Sequence, residues 1–223
     1  MEINIQKQVL EKNETEADKN RAYFKENNVF VLNLMSSPGS GKTEILCRTL
    51  VRLMPEIKVG VIVGDICTNN DADRLKVTNA RVTQINTDQF GGDCHLAAHL
   101  IDASARQLGC GDLDLLIVEN IGNLVCPAEF DIGEDARAVV LSVTEGEDKP
   151  LKYPLMFQVS DVAVLNKIDL LPYLDFDAGL VKDNMKKVHP GMPIFEVSAK
   201  TQEGLEPWLE WLLERVNKKK QKN

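Results

Sequence analysis

The segment SSPGSGKT at residues 36–43 combines glycines, a lysine and a threonine in an order typical of a phosphate-binding loop. The pattern for such a loop is G-x-x-x-x-G-K-[ST], and here Ser36 takes the place of the first glycine. Backbone N–H groups of the loop and of the following helix N-terminus form a nest for an anion. Lys42 is expected to reach the β and γ phosphates of a nucleotide, and Thr43 to bind Mg²⁺. The predicted nucleotide-binding residues of this segment are Pro38, Gly39, Ser40, Gly41, Lys42, Thr43 and Glu44.

A second motif, NKID at residues 166–169, ends an apolar run and matches the base-reading motif of GTPases. Guanine offers two N–H donors on one edge, and the carboxylate of Asp169 accepts both, whereas adenine offers it no matching donors. Asn166 is expected to tie this motif to the phosphate-binding loop. The segment SAK at 198–200 resembles the fifth GTPase motif, with the Ala199 N–H available to the guanine oxygen. The predicted base-site residues are Asn166, Lys167, Asp169, Ser198, Ala199 and Lys200.

The segment ENIG, which begins at Glu119, is the counterpart of the third GTPase motif, D-x-x-G. Its glutamate replaces the usual aspartate and is expected to contact Mg²⁺ directly or through water, while Gly122 donates its N–H to the γ-phosphate. Asp65 ends an apolar run, where it orients the attacking water, contacts Mg²⁺ or caps a helix. The sequence does not rank it against Asp71 and Asp73. The predicted catalytic residues are Lys42, Asp65 and Gly122, and the predicted magnesium ligands are Thr43, Asp65 and Glu119.

Cysteine and histidine residues form a second group of potential ligands. Cys94 and His95 are adjacent, and His99 follows on a helix predicted at 94–109, where residues four apart share a face. With Cys126, in the loop after ENIG, they form a thiolate and imidazole set that suits Zn²⁺, Ni²⁺ or Cu. The same residues fit equally well as two buried thiols and two helix-facing histidines, since the C-x-x-C spacing of structural zinc is absent.

Apolar runs alternate with helical patterns along the whole chain. Continuous apolar runs predict buried strands at 28–35, 58–64, 80–86, 113–120, 136–144, 162–167 and 192–199. Apolar residues at helical spacing predict helices at 43–54, 94–109 and 205–218. This alternation is typical of a parallel sheet covered by helices on both faces. Such sheets bind ligands beyond the carboxyl ends of their strands, which is where the motifs above are found.

The predicted fold is therefore α/β: a three-layer P-loop NTPase with a mostly parallel central sheet flanked by helices. We expect a polar N-terminal helical extension at 1–27, a GTPase domain at 28–218 and a polar C-terminal tail at 219–223. A single domain fits the length of 223 residues and the hydrophobic content of 43%.

Charge and cysteine content narrow the function classes. The net charge of −8 argues against nucleic acid or a membrane surface as the main partner. The polar N-terminal segment lacks the apolar core of a signal peptide, so a cytoplasmic location is expected. Five scattered cysteines do not indicate a disulfide framework.

Taken together, the motifs resemble those of the hydrogenase nickel-incorporation GTPases, the HypB family. The resemblance covers about residues 28–215 and rests on SSPGSGKT, GDICTNNDADRL, GGDCHLAAHL, ENIGNLVCPAEFDIGE, LNKIDLLPYLDFD and SAKTQEGL. It implies a SIMIBI-class G domain that hydrolyses GTP to GDP slowly and with Mg²⁺. It also implies a role in delivering nickel to [NiFe]-hydrogenase during maturation of that enzyme.

The resemblance further implies a metal site, for Ni²⁺ or Zn²⁺, formed by Cys94, His95 and Cys126, with His99 as a further candidate. This site would lie at the interface of a nucleotide-dependent homodimer. The implied partners are a small zinc-bearing maturation protein and the hydrogenase large subunit precursor. The segment MEINIQKQVL has neither the cysteine motif nor the histidine-rich stretch of some family members. Nickel is therefore expected to enter through the G-domain site.

Two other functions remain open at this point. One is a sibling maturation GTPase that serves urease or a cobalamin enzyme, although the urease sibling normally presents C-P-H rather than adjacent C-H. The other is a G protein whose zinc is purely structural and regulates dimerisation. A ribosome-assembly GTPase fits less well, because the chain is acidic and carries no RNA-binding module.

Overall fold

The computed structural model describes residues 2–65, 75, 78, 80–87 and 94–221, with the backbone alone for residues 2–6 and for Asp65. Within this part of the chain, no helix is both long enough and apolar enough to span a bilayer. Asp71 and Asp73 lie outside the described residues.

Seven strands form one sheet. They are β1 (Phe30–Ser36), β2 (Val59–Asp65), β3 (Arg81–Asn86), β4 (Leu115–Gly122), β5 (Ala136–Ser142), β6 (Val162–Asn166) and β7 (Ile194–Val197). The α-helices are α1 (Glu2–Glu26), α2 (Lys42–Leu53), α3 (Ala98–Gln107), α4 (Cys126–Glu129), α5 (Lys149–Lys152), α6 (Pro154–Gln158), α7 (Ala178–Val188) and α8 (Leu205–Gln221). Short 3₁₀ helices follow α3, at Cys110–Asp112, and β6, at Ile168–Tyr173.

The sheet has the order β3-β2-β4-β1-β5-β6-β7, and every pairing among these strands is parallel. The predicted α/β fold is thereby confirmed, and the described sheet is wholly rather than mostly parallel. Strands β1 and β6 are buried along their whole length, because helices cover both faces. This is why their sequences are continuous apolar runs and not alternating ones.

Successive side chains of β1 point into opposite layers of the molecule. Leu32 packs in one core with Leu50 of α2 and Trp208 of α8. Val31 packs in the other core with Phe24 of α1 and other residues of α3 and β4. The period-two alternation of a strand therefore separates α2 and α8 from α1 and α3, which gives the three predicted layers.

The helix predicted at 94–109 begins later than predicted. Helix α3 starts at Ala98, so Cys94 and His95 lie in the turn before it and do not share a helix face with His99. No side chain next to α3 caps its first turn; instead, Asn13 Oδ1 of α1 accepts a hydrogen bond from the Ala98 N–H at 2.9 Å. Apolar spacing cannot reveal this start because the cap comes from a distant segment.

Helix α1 is joined to the sheet domain by buried amides. Asn20, 1% exposed, donates to the carbonyl oxygens of Ala98 at 2.7 Å and Ile132 at 3.0 Å. Asn13 Nδ2 donates to the Asp131 carbonyl at 2.7 Å. Helix α1 therefore supports the start of α3 and the segment before β5. The domain boundaries at 27 and 218 stay predictions.

Helix α8 continues through most of the segment predicted as a polar tail. Its residue Lys219 pairs with Asp135 at 2.5 Å, and Lys220 pairs with Asp114 at 2.7 Å. Burial opposes ionisation of Asp114, but hydrogen bonds from Lys220 and the Lys58 amide hold the pKa of that carboxyl below its usual value. The C-terminal lysines therefore fasten α8 to the opposite end of the sheet from the motifs.

Candidate functional site

The predicted motifs meet at one edge of the sheet, beyond the carboxyl ends of its strands. Ser36, the last residue of β1, is in register with Gly122, the last residue of β4. Asn166, the last residue of β6, is in register with Val197 of β7, directly before the SAK segment. Parallel strands all end at this edge, so motifs that are far apart in sequence become neighbours.

The phosphate-binding loop is held by the base motif. Asn166 Nδ2 donates to the Ser40 carbonyl at 2.8 Å, and Lys167 Nζ donates to the Gly39 carbonyl at 2.7 Å. Gly39 and Gly41 have positive φ angles of 74° and 89°, which suit glycine. The tie predicted between Asn166 and this loop is present in the structure.

A buried carboxylate lies beneath the loop. Glu119 Oε1 accepts a hydrogen bond from Thr43 Oγ1 at 2.6 Å and lies 3.3 Å from Lys42 Nζ. The Glu119 side chain is 1% exposed, and its Oε2 has no hydrogen-bond partner among the described residues. A buried carboxylate oxygen beside a threonine hydroxyl is the hard-oxygen donor set that Mg²⁺ prefers. The residues present therefore fit a magnesium ion.

Other predicted residues lie around this centre. The buried Ser40 Oγ also has no partner in the described part of the chain. Glu44, on the first turn of α2, forms an ion pair with Arg48 at 2.7 Å. Asp65 is the last residue of β2, but its side chain lies outside the described part.

The two loop glycines differ in the room available for a side chain, which gives a matched prediction. A Cβ on Gly41 would lie 2.5 Å from Asn166 Nδ2, whereas a Cβ on Gly39 would meet nothing within 4 Å. Either alanine substitution costs about 1–3 kcal/mol of backbone strain at positive φ. We expect Gly41→Ala to lower the melting temperature of the nucleotide-free protein more than Gly39→Ala does. Equal melting temperatures would contradict the tight contact between the two motifs.

The base-reading residues form a connected group. Ser198 Oγ donates to Asp169 Oδ1 at 2.6 Å, which orients the carboxylate. Lys200 is exposed. The Ala199 N–H donates to Asn166 Oδ1 at 3.2 Å, so it is already engaged. The guanine contact predicted for this N–H would require it to leave Asn166.

Gly122 lies against the phosphate-binding loop. A Cβ at this position would be 3.1 Å from the Cα of Pro38, so any larger residue would push the phosphate-binding loop away by a few tenths of an ångström. A cavity of about 240 Å³ opens beside this contact, lined by Ser37, Pro38, Gly122, Val125, Lys149 and Tyr153 among others. Gly122, the residue predicted to contact the γ-phosphate, therefore lies directly beside the phosphate-binding loop.

Sequence reasoning missed several residues near the loop. Ser37 Oγ donates a short hydrogen bond to Glu145 Oε2, and the other oxygen of Glu145 accepts from the Ser142 N–H at 3.0 Å. Lys149 lies over the ring of Tyr153, 5.3 Å from its centroid. The segment TEGEDKP follows β5 at the edge of the sheet where the motifs meet. Its position after a predicted strand could have identified Glu145 and Lys149 as residues near the loop.

The predicted soft ligands lie on two segments that contact each other. The imidazole of His95 stacks on Phe130, with ring centroids 3.6 Å apart. Asn123 Nδ2 donates to the Cys94 carbonyl at 3.4 Å. Cys126 begins α4, between Asn123 and Phe130, so the two contacts bring its segment against the Cys94–His95 turn.

His95 and the exposed His99 line the same cavity, of about 550 Å³, between α1 and the Cys94–His95 turn. Across the described ranges, no three of the His, Cys, Asp and Glu residues within the single chain converge closely enough to hold a metal ion. The predicted ligands Cys94, His95, Cys126 and His99 are thus neighbours that do not form a complete metal site in one copy of the chain.

The described cysteines differ in their surroundings, and none of them forms a disulfide. Burial raises the pKa of Cys110 to about 11, so this thiol is not poised to act as a ligand. Cys94 and Cys126 are only partly buried. Exposure therefore separates the two predicted ligands from the core thiol of Cys110, but not from Cys47, which is also partly buried.

Comparison with known proteins gives one consistent family. The family model for the CobW/HypB/UreG nucleotide-binding domain matches residues 30–196. The hydrogenase maturation factor HypB of Rhizobium leguminosarum bv. viciae is 50% identical over 94% of this chain and 69% of its own length. That of Escherichia coli K12 is 48% identical over 94% of this chain and 71% of its own length.

A solved structure supports the same assignment. The crystal structure of HypB from Helicobacter pylori in complex with nickel is 39% identical and has a TM-score of 0.86. The match covers 93% of this chain and 96% of that one. The motifs, the sheet order and these similarities agree, and the chain belongs to the HypB family of hydrogenase maturation factors, within the CobW/HypB/UreG nucleotide-binding domains.

Proposed function

We propose that the protein is a GTP-hydrolysing metallochaperone that binds nickel or zinc and assists nickel insertion into [NiFe]-hydrogenase. The observation that carries the nucleotide part is the buried Glu119 carboxylate between Lys42 and Thr43, with its Oε2 unpartnered among the described residues. An unpaired buried carboxylate oxygen costs free energy, so a cation at this point would stabilise the site.

The proposed hydrolysis relies on positioning and charge. Thr43 and Glu119 would hold Mg²⁺, with Asp65 as a third candidate, and the ion would neutralise charge that develops on the phosphates. Lys42 would bind the β and γ phosphates, and its pairing with Glu119 keeps it under the loop until nucleotide arrives. Gly122 would donate its N–H to the γ-phosphate. We infer a slow intrinsic rate, because no arginine finger is identifiable in the sequence.

Nickel is the proposed cargo, and its ligands are Cys94, His95 and Cys126, with His99 as a further candidate. A relative with 39% identity was crystallised in complex with nickel, which supports this choice of metal. Because the ligands do not converge within the described part of one chain, we propose a site shared between two copies in a nucleotide-dependent homodimer. A small zinc-bearing maturation protein and the hydrogenase large subunit precursor are the proposed partners, in the cytoplasm.

The nucleotide state is proposed to set metal affinity. Gly122 would move toward the γ-phosphate, and the loop that carries Cys126 would move with it; hydrolysis would release both. The coupling must be reciprocal, and a coupling of about 1–3 kcal/mol would change metal affinity roughly 5- to 150-fold.

We expect Ni²⁺ to bind with different affinity in the GDP state and in the state with a non-hydrolysable GTP analogue. We expect this because one short segment carries both Gly122, the proposed γ-phosphate contact, and Cys126. Competition with a chromophoric chelator in each state would measure the difference. Equal affinities would refute the coupling, and metal retained against the chelator for hours in both states would indicate a structural zinc site instead.

A further inference from the structure

Two asparagines at the end of β4 hold the backbone of the turn that carries the proposed metal ligands. Asn120 follows Glu119 directly and is 1% exposed. Its Oδ1 accepts from the Ile121 N–H at 2.9 Å and from the Leu96 N–H at 3.4 Å. Its Nδ2 donates to Asn33 Oδ1 of β1 at 3.1 Å. Asn120 is thus fixed within the sheet and anchors one end of the turn.

Asn123 holds the other end of the turn from beyond Gly122. Its Nδ2 donates to the Cys94 carbonyl at 3.4 Å, and its Oδ1 accepts from the Val125 N–H at 2.8 Å. Asn123 is the residue after Gly122, so any displacement of Gly122 is passed to this side chain. The two anchors therefore differ: one belongs to the rigid strand and the other to the phosphate-sensing loop.

We propose that Asn120 and Asn123 are positioning residues that transmit the nucleotide state from Gly122 to Cys94 and His95. The proposal rests on the proposed function, since it requires a γ-phosphate contact at Gly122 and a metal site at the turn. Leu96, whose side chain is fully buried in one core with Ile101 and Val118, serves as the stationary point. Asn123 then moves the Cys94 carbonyl relative to Leu96 and so reorients both ligands.

The bond lengths suit a switchable contact. Both bonds to the turn measure 3.4 Å, which is longer than the usual 2.7–3.2 Å range for N–H···O hydrogen bonds. A displacement of a few tenths of an ångström would therefore either strengthen the bond from Asn123 or break it. The stacking of His95 on Phe130 supplies a further contact between the two segments, on the far side of Cys126.

A third asparagine near the turn provides the matched control. Asn13 Oδ1 accepts a hydrogen bond from the Ala98 N–H, just after the turn, and Asn13 Nδ2 donates to the Asp131 carbonyl at 2.7 Å. Its helix, α1, carries none of the proposed phosphate contacts. Asn13→Asp and Asn123→Asp each remove one side-chain donor to a backbone carbonyl and add one negative charge. Each keeps the oxygen that accepts a backbone N–H.

The test measures Ni²⁺ affinity by chelator competition in the GDP and GTP-analogue states for the wild type and both variants. The wild type and Asn13→Asp are expected to show the nucleotide-dependent difference of roughly 5- to 150-fold. In Asn123→Asp the two affinities are expected to become equal, while the melting temperature without ligands stays near that of the wild type. Reciprocally, Ni²⁺ should change GTP-analogue affinity in the wild type and not in Asn123→Asp.

The outcomes separate the two proposals. A wild type without any nucleotide dependence would overturn the proposed function itself. A wild-type difference that Asn123→Asp retains, or that Asn13→Asp loses equally, would overturn the positioning role alone. If the aspartate variant does not fold, Asn123→Ser replaces it, because serine still accepts from the Val125 N–H in a turn but is too short to reach Cys94.

Discussion

Replacing Glu119 with glutamine is expected to lower the rate of GTP hydrolysis by about 10²- to 10³-fold, the effect of removing one preorganised electrostatic group. Glutamine keeps the shape and can still accept from Thr43 Oγ1. It loses the charge that attracts Mg²⁺ and that lies 3.3 Å from Lys42 Nζ. Phosphate release, measured over a range of Mg²⁺ concentrations, should be slower than in the wild type. Its half-maximal rate should also need a higher Mg²⁺ concentration.

The control for this change is Glu206→Gln on α8, which removes the same charge from an exposed ion pair with Arg52 of α2. Exposed pairs contribute little to stability, about 0–1 kcal/mol, so hydrolysis and melting temperature should stay close to the wild type. Wild-type kinetics in Glu119→Gln would remove this carboxylate from the proposed magnesium site.

Replacing Asp169 with asparagine is expected to weaken GTP binding by about 100-fold or more, because each hydrogen bond to a charged group contributes about 1.5–3 kcal/mol. The amide retains one oxygen for the Ser198 hydroxyl, so the loop should stay in place. Xanthine carries a carbonyl where guanine has its exocyclic amine, and the new N–H₂ group can donate to it. Affinity for the xanthine nucleotide should therefore rise.

Competition among guanine, xanthine and adenine triphosphates measures this change in preference. The matched variant is Asp175→Asn, on an exposed residue of the same connection. It should keep the guanine preference of the wild type. If Asp169→Asn also keeps that preference, a different residue reads the base.

The fold and the meeting of the motifs at one sheet edge could be predicted because their signals are local. Each buried strand is a continuous apolar run, and a short motif follows the carboxyl end of several of them. The tie between Asn166 and the phosphate-binding loop follows from two such motifs and the parallel sheet. Glycine at 41 reflects its positive φ and the adjacent Asn166 side chain.

The surroundings of the predicted metal ligands could not be predicted in the same way. The start of α3 depends on Asn13, which is 85 residues away from Ala98. The contacts of Asn120 and Asn123 with the Cys94–His95 turn join segments that are 24 and 29 residues apart. An asparagine in a polar stretch has no sequence pattern that names its distant partner. Such hydrogen bonds therefore become visible only in the folded chain.

The capping of α3 by α1 means that the two proposed activities need not fail together on heating. The candidate nucleotide site is built on strand ends in the sheet, whereas the start of α3 depends on Asn13 of α1, a helix whose described side chains are mostly exposed. Segments with little buried surface open at lower free energy than core strands. Partial unwinding of α1 would therefore release the turn before α3, and the heated protein would still bind nucleotide while its proposed metal ligands had lost their order.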